Sequence, residues 1–159
     1  MDETTFAAFH ATTYRPLWAY VRRAAGDAAL ADDVVQDAYL RLLQARTEGL
    51  ADPQLRVYLF RIATNLLHDH WRRTRREVSE DHADPHRASP PPADTVDLEA
   101  ALAQLPARER AMVWLAHVEG YEHRDIAQML NVGEKSVRVL LFRARRKLAA
   151  ALTAKEIER

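Results

Sequence analysis

The chain has 159 residues, room for one ordinary domain or two small ones, and its 48% apolar content is normal for a folded protein. There is no cysteine, which excludes disulfide frameworks, thiolate metal sites and cysteine nucleophiles and fits a reducing cytosol. Basic and acidic side chains cancel at 23 each, so a charged patch here reflects segregation along the chain rather than an overall excess.

The N-terminus, "MDETTFAAFH", lacks the basic start and apolar core of a signal peptide. No apolar run approaches the roughly 20 residues of a membrane helix. A soluble cytoplasmic chain with no membrane insertion is expected. Alternating β patterns are absent and alanine, leucine, arginine and glutamate dominate, so the fold class is all-α.

Helices are expected over 3–12 and 15–25, with Pro16 in the first turn of the second and Gly26 at its end. The next, over 29–45, reads "LADDVVQDAYLRLLQA" and turns Val34, Val35, Ala38 and Leu42 to the core. Its other side carries Asp33, Gln36 and Asp37 beside Leu40 and Leu43. Leucines among acids on an outer face fit a protein partner. Packing of the same leucines beneath a neighbouring helix fits the pattern equally well. Asp32, Asp33 and Asp37 have no set of metal-binding partners around them in sequence.

Gly49 marks a helix stop, and Asp52 is a good cap ahead of Pro53 for a helix over 54–77. On that helix Leu55, Leu59, Ile62 and Leu66 form the core stripe, and Phe60, Leu67 and Trp71 a second apolar edge, so it is held on two sides. Between them runs a polar row of Tyr58, Arg61, Asn65, Arg72 and Arg76, with Arg73 and Arg75 beside its end. An aromatic ring, an amide and several cations suit unstacked single-stranded bases: the ring stacks, the amide reads a base edge, the cations hold phosphates. A solvated basic surface is the equal alternative. Trp71 falls with the packing edge rather than the polar row.

Residues 78–94, "VSEDHADPHRASPPPAD", are acidic and proline-rich with little to bury. They predict a flexible acidic linker over 78–95 between two small helical domains, 1–77 and 96–159. Helices follow over 96–104, 107–118, 123–130 and 134–152, with Pro106 opening the second and Gly120 closing it. In "HRDIAQMLNVGEKSVRVLLFRARRKL", Ile126, Ala127 and Leu130 share one side of a short helix, Asn131 suits a left-handed turn and Val132 plugs it. The longer helix puts Val137, Leu141, Ala144 and Leu148 inward. Short helix, tight turn and longer helix make a helix-turn-helix. The outer face holds Lys135, Ser136, Val139, Phe142, Arg143 and Arg146, flanked by Arg138 and Arg145. Cations there can reach phosphates or guanine edges, and Val139 a thymine methyl. The turn and the charge segregation together favour DNA binding over a merely solvated basic face.

Two basic blocks, 61–76 and 138–147, thus flank an acidic stretch, as two contacts with one polyanion would. His68, His70, His82 and His86 do not make a metal site: the first pair points apart on a helix and the second lies in the linker. No phosphate loop, nucleophile elbow or paired-carboxylate motif stands out, so neither cofactor nor enzymatic activity is expected.

"ADDVVQDAYLRLLQ", "YLFRIATNLLHDHWRRTRR" and "LPARERAMVWLAHVEGYEHRDIAQMLNVGEKSVRVLLFRARRKL", in this order and spacing, resemble the extracytoplasmic-function (ECF) group of sigma-70 factors, the promoter-recognition subunits of RNA polymerase. The resemblance implies sigma region 2 over 1–77 and sigma region 4 over 96–159. It implies that Asp33, Gln36, Asp37, Leu40 and Arg41 dock on the coiled coil of the largest subunit of core RNA polymerase. It places Tyr58 and Asn65 at the melted minus-ten element, Asn65 beside a flipped-out base, and the helix-turn-helix on duplex minus-thirty-five promoter DNA. An anti-sigma factor is the implied inhibitor. The chain departs from the family at Lys135 and Ser136, where Gly-Thr is frequent, and at Val139 and Leu140, where polar residues are common. The alternative is a helix-turn-helix regulator that binds duplex DNA without core polymerase.

Overall fold

The computed structural model describes the backbone of residues 1–78 and 96–158 and the side chains of 1–74 and 98–154. The expected linker lies outside the described residues, as do the side chains of Arg75 and Arg76. Seven α-helices and no strand occur among the described residues: α1 (Glu3–Ala25), α2 (Ala28–Gln44), α3 (Asp52–Val78), α4 (Val96–Ala103), α5 (Ala107–Val113), α6 (His123–Leu130) and α7 (Glu134–Glu158).

The first two expected helices are one. Pro16 lies inside α1 and cannot donate a hydrogen bond to the Thr12 carbonyl one turn back. Arg56 of α3 fills the vacancy, its Nη2 donating to Thr12 O at 3.3 Å. Next to the break, Thr13 Oγ1 donates to Phe9 O at 2.8 Å and also lies 2.6 Å from the Tyr39 hydroxyl of α2. Tertiary partners on both sides hold the helix together across a residue that would end it in isolation.

Helix ends follow local chemistry. Asp2 caps α1 through Thr5 N at 2.7 Å, and that bond holds its carboxyl below the usual carboxylate range. Gly26 closes α1 at φ 75°, and Asp27 caps α2 through Ala29 N at 2.9 Å. Two expectations are corrected. Asp52 is inside the first turn of α3 rather than its cap; Ala51 caps it, donating its amide to Gln54 Oε1 at 2.9 Å while its carbonyl accepts from Leu55 N. Gly49, at φ 83°, serves a turn in the α2–α3 loop, α2 having already ended at Gln44.

A third correction concerns 107–118. After Val113 the helix widens into a π-turn over Trp114–Val118, with Glu119 N donating to Trp114 O at 3.1 Å. Gly120 then reverses the chain at φ 74°, and Tyr121 N donates to Leu115 O at 3.0 Å.

The hydrophobic core is continuous across both halves of the sequence. Leu17 and Tyr20 of α1, Ala38 and Leu42 of α2, and Leu59 and Phe60 of α3 are fully buried, as are Met112, Leu115, Ile126, Met129 and Leu141 of the second half. Phe60 bridges the halves, 5.3 Å from the Tyr20 ring and 5.6 Å from the Tyr121 ring. Arg110 makes the polar junction: buried, it donates to Arg23 O at the end of α1 and to Leu105 O, both at 3.2 Å. Arg23 pairs with Glu99 and lies 5.7 Å over the Trp114 ring.

Tyr20, deep in this core, bonds Thr64 Oγ1 at 2.7 Å, and burial pushes its phenol up from 10.0 to about 12. Folding therefore favours the protonated ring. Its contribution is complete below pH 10 and falls away as pH rises from about 10 to 12, by roughly 2–3 kcal/mol. Urea unfolding followed from pH 9 to 12 should show this decline, and Tyr20→Phe should make it shallower, with the raised phenols of Tyr39 and Tyr121 contributing the rest. Equal slopes in the two proteins would assign the titration to another group.

Candidate nucleic-acid and partner interfaces

The helix-turn-helix forms as the sequence predicts. Asn131 takes φ 54° and ψ 50°, the one positive φ at a non-glycine among the described residues, and Val132 N donates to Ala127 O at 3.0 Å. Ile126, Ala127 and Leu130 of α6 are buried against Val137, Leu141 and Ala144 of α7, with Leu148 half-buried. Met129 is buried as well, which widens the inner face beyond the expected stripe.

With that side fixed, Lys135, Ser136, Arg138, Val139, Phe142, Arg143 and Arg146 all reach solvent. Phe142 is 60% and Val139 49% exposed, and the Arg146 guanidinium lies 5.8 Å over the Phe142 ring. Two cations of the basic block have structural work instead. Lys147 Nζ donates to both oxygens of buried Glu109, at 3.1 and 3.0 Å, tying α7 to α5. Arg145 Nε donates to His117 Nε2 of the π-turn at 3.1 Å.

On α3, Leu55, Leu59 and Leu66 are buried and Ile62 half-buried; Phe60 and Leu67 on the second edge are buried and Trp71 half-buried. The helix is held on two sides. Arg61, Asn65, Arg72 and Arg73 are exposed and Tyr58 half-buried. The row is not uniform. Tyr58 and Arg61 line a groove of about 550 Å³ whose far wall is Arg124, Asp125 and Gln128 of α6. Arg72 pairs with Asp69 at 3.1 Å and lines a separate groove with Trp71, His68 and Pro106. Sequence reading missed the α6 residues because their only signal is exposure on the side of α6 away from its buried stripe. It also missed Arg56, whose charge opposes the upward push that burial gives the Glu119 carboxyl and the Tyr121 phenol.

On α2, Leu40 and Leu43 are 52% and 47% exposed, so they do not pack beneath a neighbour. Asp33, Gln36 and Arg41 are exposed and Asp37 half-buried, with Arg41 Nε donating to Asp37 Oδ1 at 3.4 Å. The leucines border a groove of about 520 Å³ floored by Phe6, His10, Tyr14 and Tyr39. His10 lies 4.6 Å from the Tyr39 ring and 5.2 Å from the Tyr14 ring. The sequence signal for this floor is the aromatic rings at 6, 10 and 14, one helical turn apart. Asp32 accepts from Trp18 Nε1 at 2.8 Å, a structural use of that carboxylate.

Among the described residues no cluster of three or more histidine, cysteine or acidic side chains is placed to hold a metal, and no helix is long and apolar enough to cross a membrane. His70 Nε2 lies 3.3 Å from Thr74 Oγ1 and the His68 ring packs 5.5 Å from Trp71. His82 and His86 lie outside the described residues.

The sequence model of sigma-70 region 2 matches residues 9–77, and that of sigma-70 region 4 matches residues 95–148. The ECF RNA polymerase sigma factor SigL of Mycobacterium tuberculosis is 34% identical over 146 residues, covering 86% of this chain and 82% of that protein. The ECF RNA polymerase sigma factor EcfG of Rhodopseudomonas palustris is 32% identical over 142 residues, 86% of this chain and 78% of that one. In fold, the chain is similar to the sigma factor RpoE of Bartonella quintana, solved with the anti-sigma factor NepR, at a TM-score of 0.77 and 23% identity over 94% of this chain and 97% of that one. It is also similar to CnrH, solved with the cytosolic domain of CnrY, at 0.70 and 24% over 96% and 90%. Both region models in order, and an identity of this level along most of the chain, place the protein in the extracytoplasmic-function group of the sigma-70 family.

Proposed function

We propose that the chain binds core RNA polymerase in the cytoplasm and directs it to promoters, without catalysing a covalent step itself. The observation that carries this reading is the pairing of two basic surfaces of different chemistry, one open on α7 and one bordering a groove on α3. The outer face of α7 suits duplex DNA, and the Tyr58, Arg61 and Asn65 row of α3 suits unstacked bases. An ordinary duplex-binding regulator has no use for the second. Residues 1–77 would then dock on polymerase and capture the minus-ten strand, 96–159 would read the minus-thirty-five element, and 78–95 would join them.

The exposed Leu40 and Leu43, with Asp33, Gln36, Asp37 and Arg41 around them, fit a helical protein partner, here the coiled coil of the polymerase largest subunit. Unpairing and unstacking a base costs a few kcal/mol. Stacking on an aromatic ring returns about 1–3 kcal/mol per base, so Tyr58 with Asn65 and the cations can offset the cost without nucleotide hydrolysis. Arg72, Arg73, Arg75 and Arg76 act as phosphate clamps at the helix end. An anti-sigma factor is the expected inhibitor; the relative solved with NepR has such a partner.

In vitro transcription with core polymerase on genomic DNA should yield discrete start sites that depend on this chain. Tight sequence-specific binding by the free protein, with no effect on core-dependent initiation, would favour the duplex-binding regulator instead. Asn65→Ala should reduce permanganate reactivity of the melted region roughly three- to tenfold, the worth of about one hydrogen bond, while core affinity stays level. Unchanged footprints would remove Asn65 from the base-reading role. Arg143→Ala should weaken upstream duplex binding about tenfold and spare core affinity. Equal loss of both would indicate misfolding rather than a lost DNA contact.

A further inference from the structure

We infer that His10 makes docking on the α2 groove sensitive to protons: the partner helix seats over the neutral imidazole and is released when the ring takes up a proton. The inference rests on the proposed docking of core polymerase at Leu40 and Leu43 and adds a means of regulating it. Among the described residues, His10 is the histidine that lines this groove. Its ring is stacked on Tyr14 at 5.2 Å and lies 4.6 Å from the Tyr39 ring and 5.8 Å from that of Phe6. The Tyr39 hydroxyl is held 2.6 Å from Thr13 Oγ1, which fixes the floor around the imidazole.

In the free chain the groove is open and His10 is only half-buried. A proton on the ring is tolerated there, because water solvates the exposed part and the neighbouring rings present π faces to a cation. A helix laid over Leu40 and Leu43 changes that balance. It covers the groove and expels its water, so an imidazolium would be shut against leucine and phenyl surfaces without its hydration. The neutral ring carries no such cost. The titratable and charged groups facing His10 are Tyr14 on its own helix and Asp32 and Tyr39 on α2, while from α3 the Arg56 charge acts on the Tyr39 hydroxyl. Asp32 accepts from Trp18 Nε1 at 2.8 Å, so that carboxylate is already engaged. Asp32, Asp33 and Asp37 outnumber Arg41 around the leucines, and a partner complementary to them brings cations, which an imidazolium repels. Desolvation and repulsion therefore act in the same direction. Docking favours the neutral ring, releases a proton and weakens as pH falls through the range in which histidine changes charge.

The test titrates the full chain, carrying a fluorescent label, with core polymerase at about pH 7.5 and about pH 5.5, as wild type, His10→Phe and His10→Gln. Phenylalanine keeps a ring in the stack, glutamine keeps a polar group, and neither takes up a proton. Titration of core polymerase itself is common to all three, so the readout is the loss of affinity between the two pH values, compared across them. Wild type should lose roughly three- to tenfold more than either variant, since one proton released on docking weakens binding by about tenfold per pH unit. Calorimetry at about pH 6 in buffers of different ionisation enthalpy should count protons released by wild type and by neither variant. Equal losses in all three overturn the inference. So does a wild type that gains affinity at the lower pH relative to the variants, which would put a partner carboxylate against the imidazolium. Leu40→Asp separates the two readings. If it weakens docking while the pH losses are equal, the docking surface stands and proton sensitivity is wrong. If it leaves core affinity unchanged, the groove serves another partner and the docking reading falls, taking the inference with it.

Discussion

α3 is buried along two of its sides, and the rest of the molecule is arranged around that constraint. One side, through Leu55, Leu59 and Leu66, completes the core that α1 and α2 begin. The other, through Phe60 and Leu67, receives the second half of the chain, with the Tyr121 ring against Phe60. A helix packed twice has only a narrow strip left for solvent. Arg61, Asn65 and Arg72 lie in it, with Tyr58 at its edge. Most of the base-contacting chemistry proposed for this half is therefore confined to one row by packing alone. The same packing repairs α1, since Arg56 of α3 supplies the donor that Pro16 takes away.

The two halves meet through contacts unlike those inside either one. Within the first half, buried aliphatic and aromatic side chains dominate, and the few buried hydroxyls are paired. At the junction a buried guanidinium, Arg110, bonds two backbone carbonyls, and among the described residues it has no carboxylate partner and its Nε has no hydrogen-bond partner. Burial lowers its pKa, the mark of a cation held where charge is disfavoured. The carbonyl of Arg23 at the C-terminal end of α1 offsets part of that cost, because the helix dipole is negative there. This charged contact lies beside an apolar one, since the buried core runs across both halves and Phe60 meets Tyr121 there.

What the sequence made legible is what periodicity encodes. The stripes of α2, α3 and α7 and the left-handed Asn131 turn each follow from a local pattern with one physical solution. Pro16 misled because its cost is local and its compensation comes from Arg56, 40 residues later. Asp52 misled because a carboxylate before proline is a good cap in general, while here Gln54 reaches back to Ala51 instead. The π-turn at Trp114 leaves the order of apolar residues unchanged over so short a span, so periodicity does not reveal it. Leu40 and Leu43 were undecidable from pattern, since exposure depends on which helices are neighbours. The groove beside them was hidden for the same reason: its aromatic floor comes from α1, and only packing brings His10 to Tyr39.

The same packing treats the two nucleic-acid surfaces differently. The outer face of α7 is open with the halves together; Val139, Phe142, Arg143 and Arg146 all meet solvent. Tyr58 and Arg61 instead share their groove with Arg124, Asp125 and Gln128 of α6. A base stacking on Tyr58 needs a ring face and the space beside it, and a strand held by Arg61 needs its phosphates clear of Asp125, which repels them. On the proposed reading, duplex contact through α7 is compatible with the junction as it stands, whereas strand capture through α3 requires α6 to withdraw. Such withdrawal exposes the Phe60–Tyr121 contact and rehydrates Arg110, so it gives up apolar burial that binding to DNA and polymerase must offset.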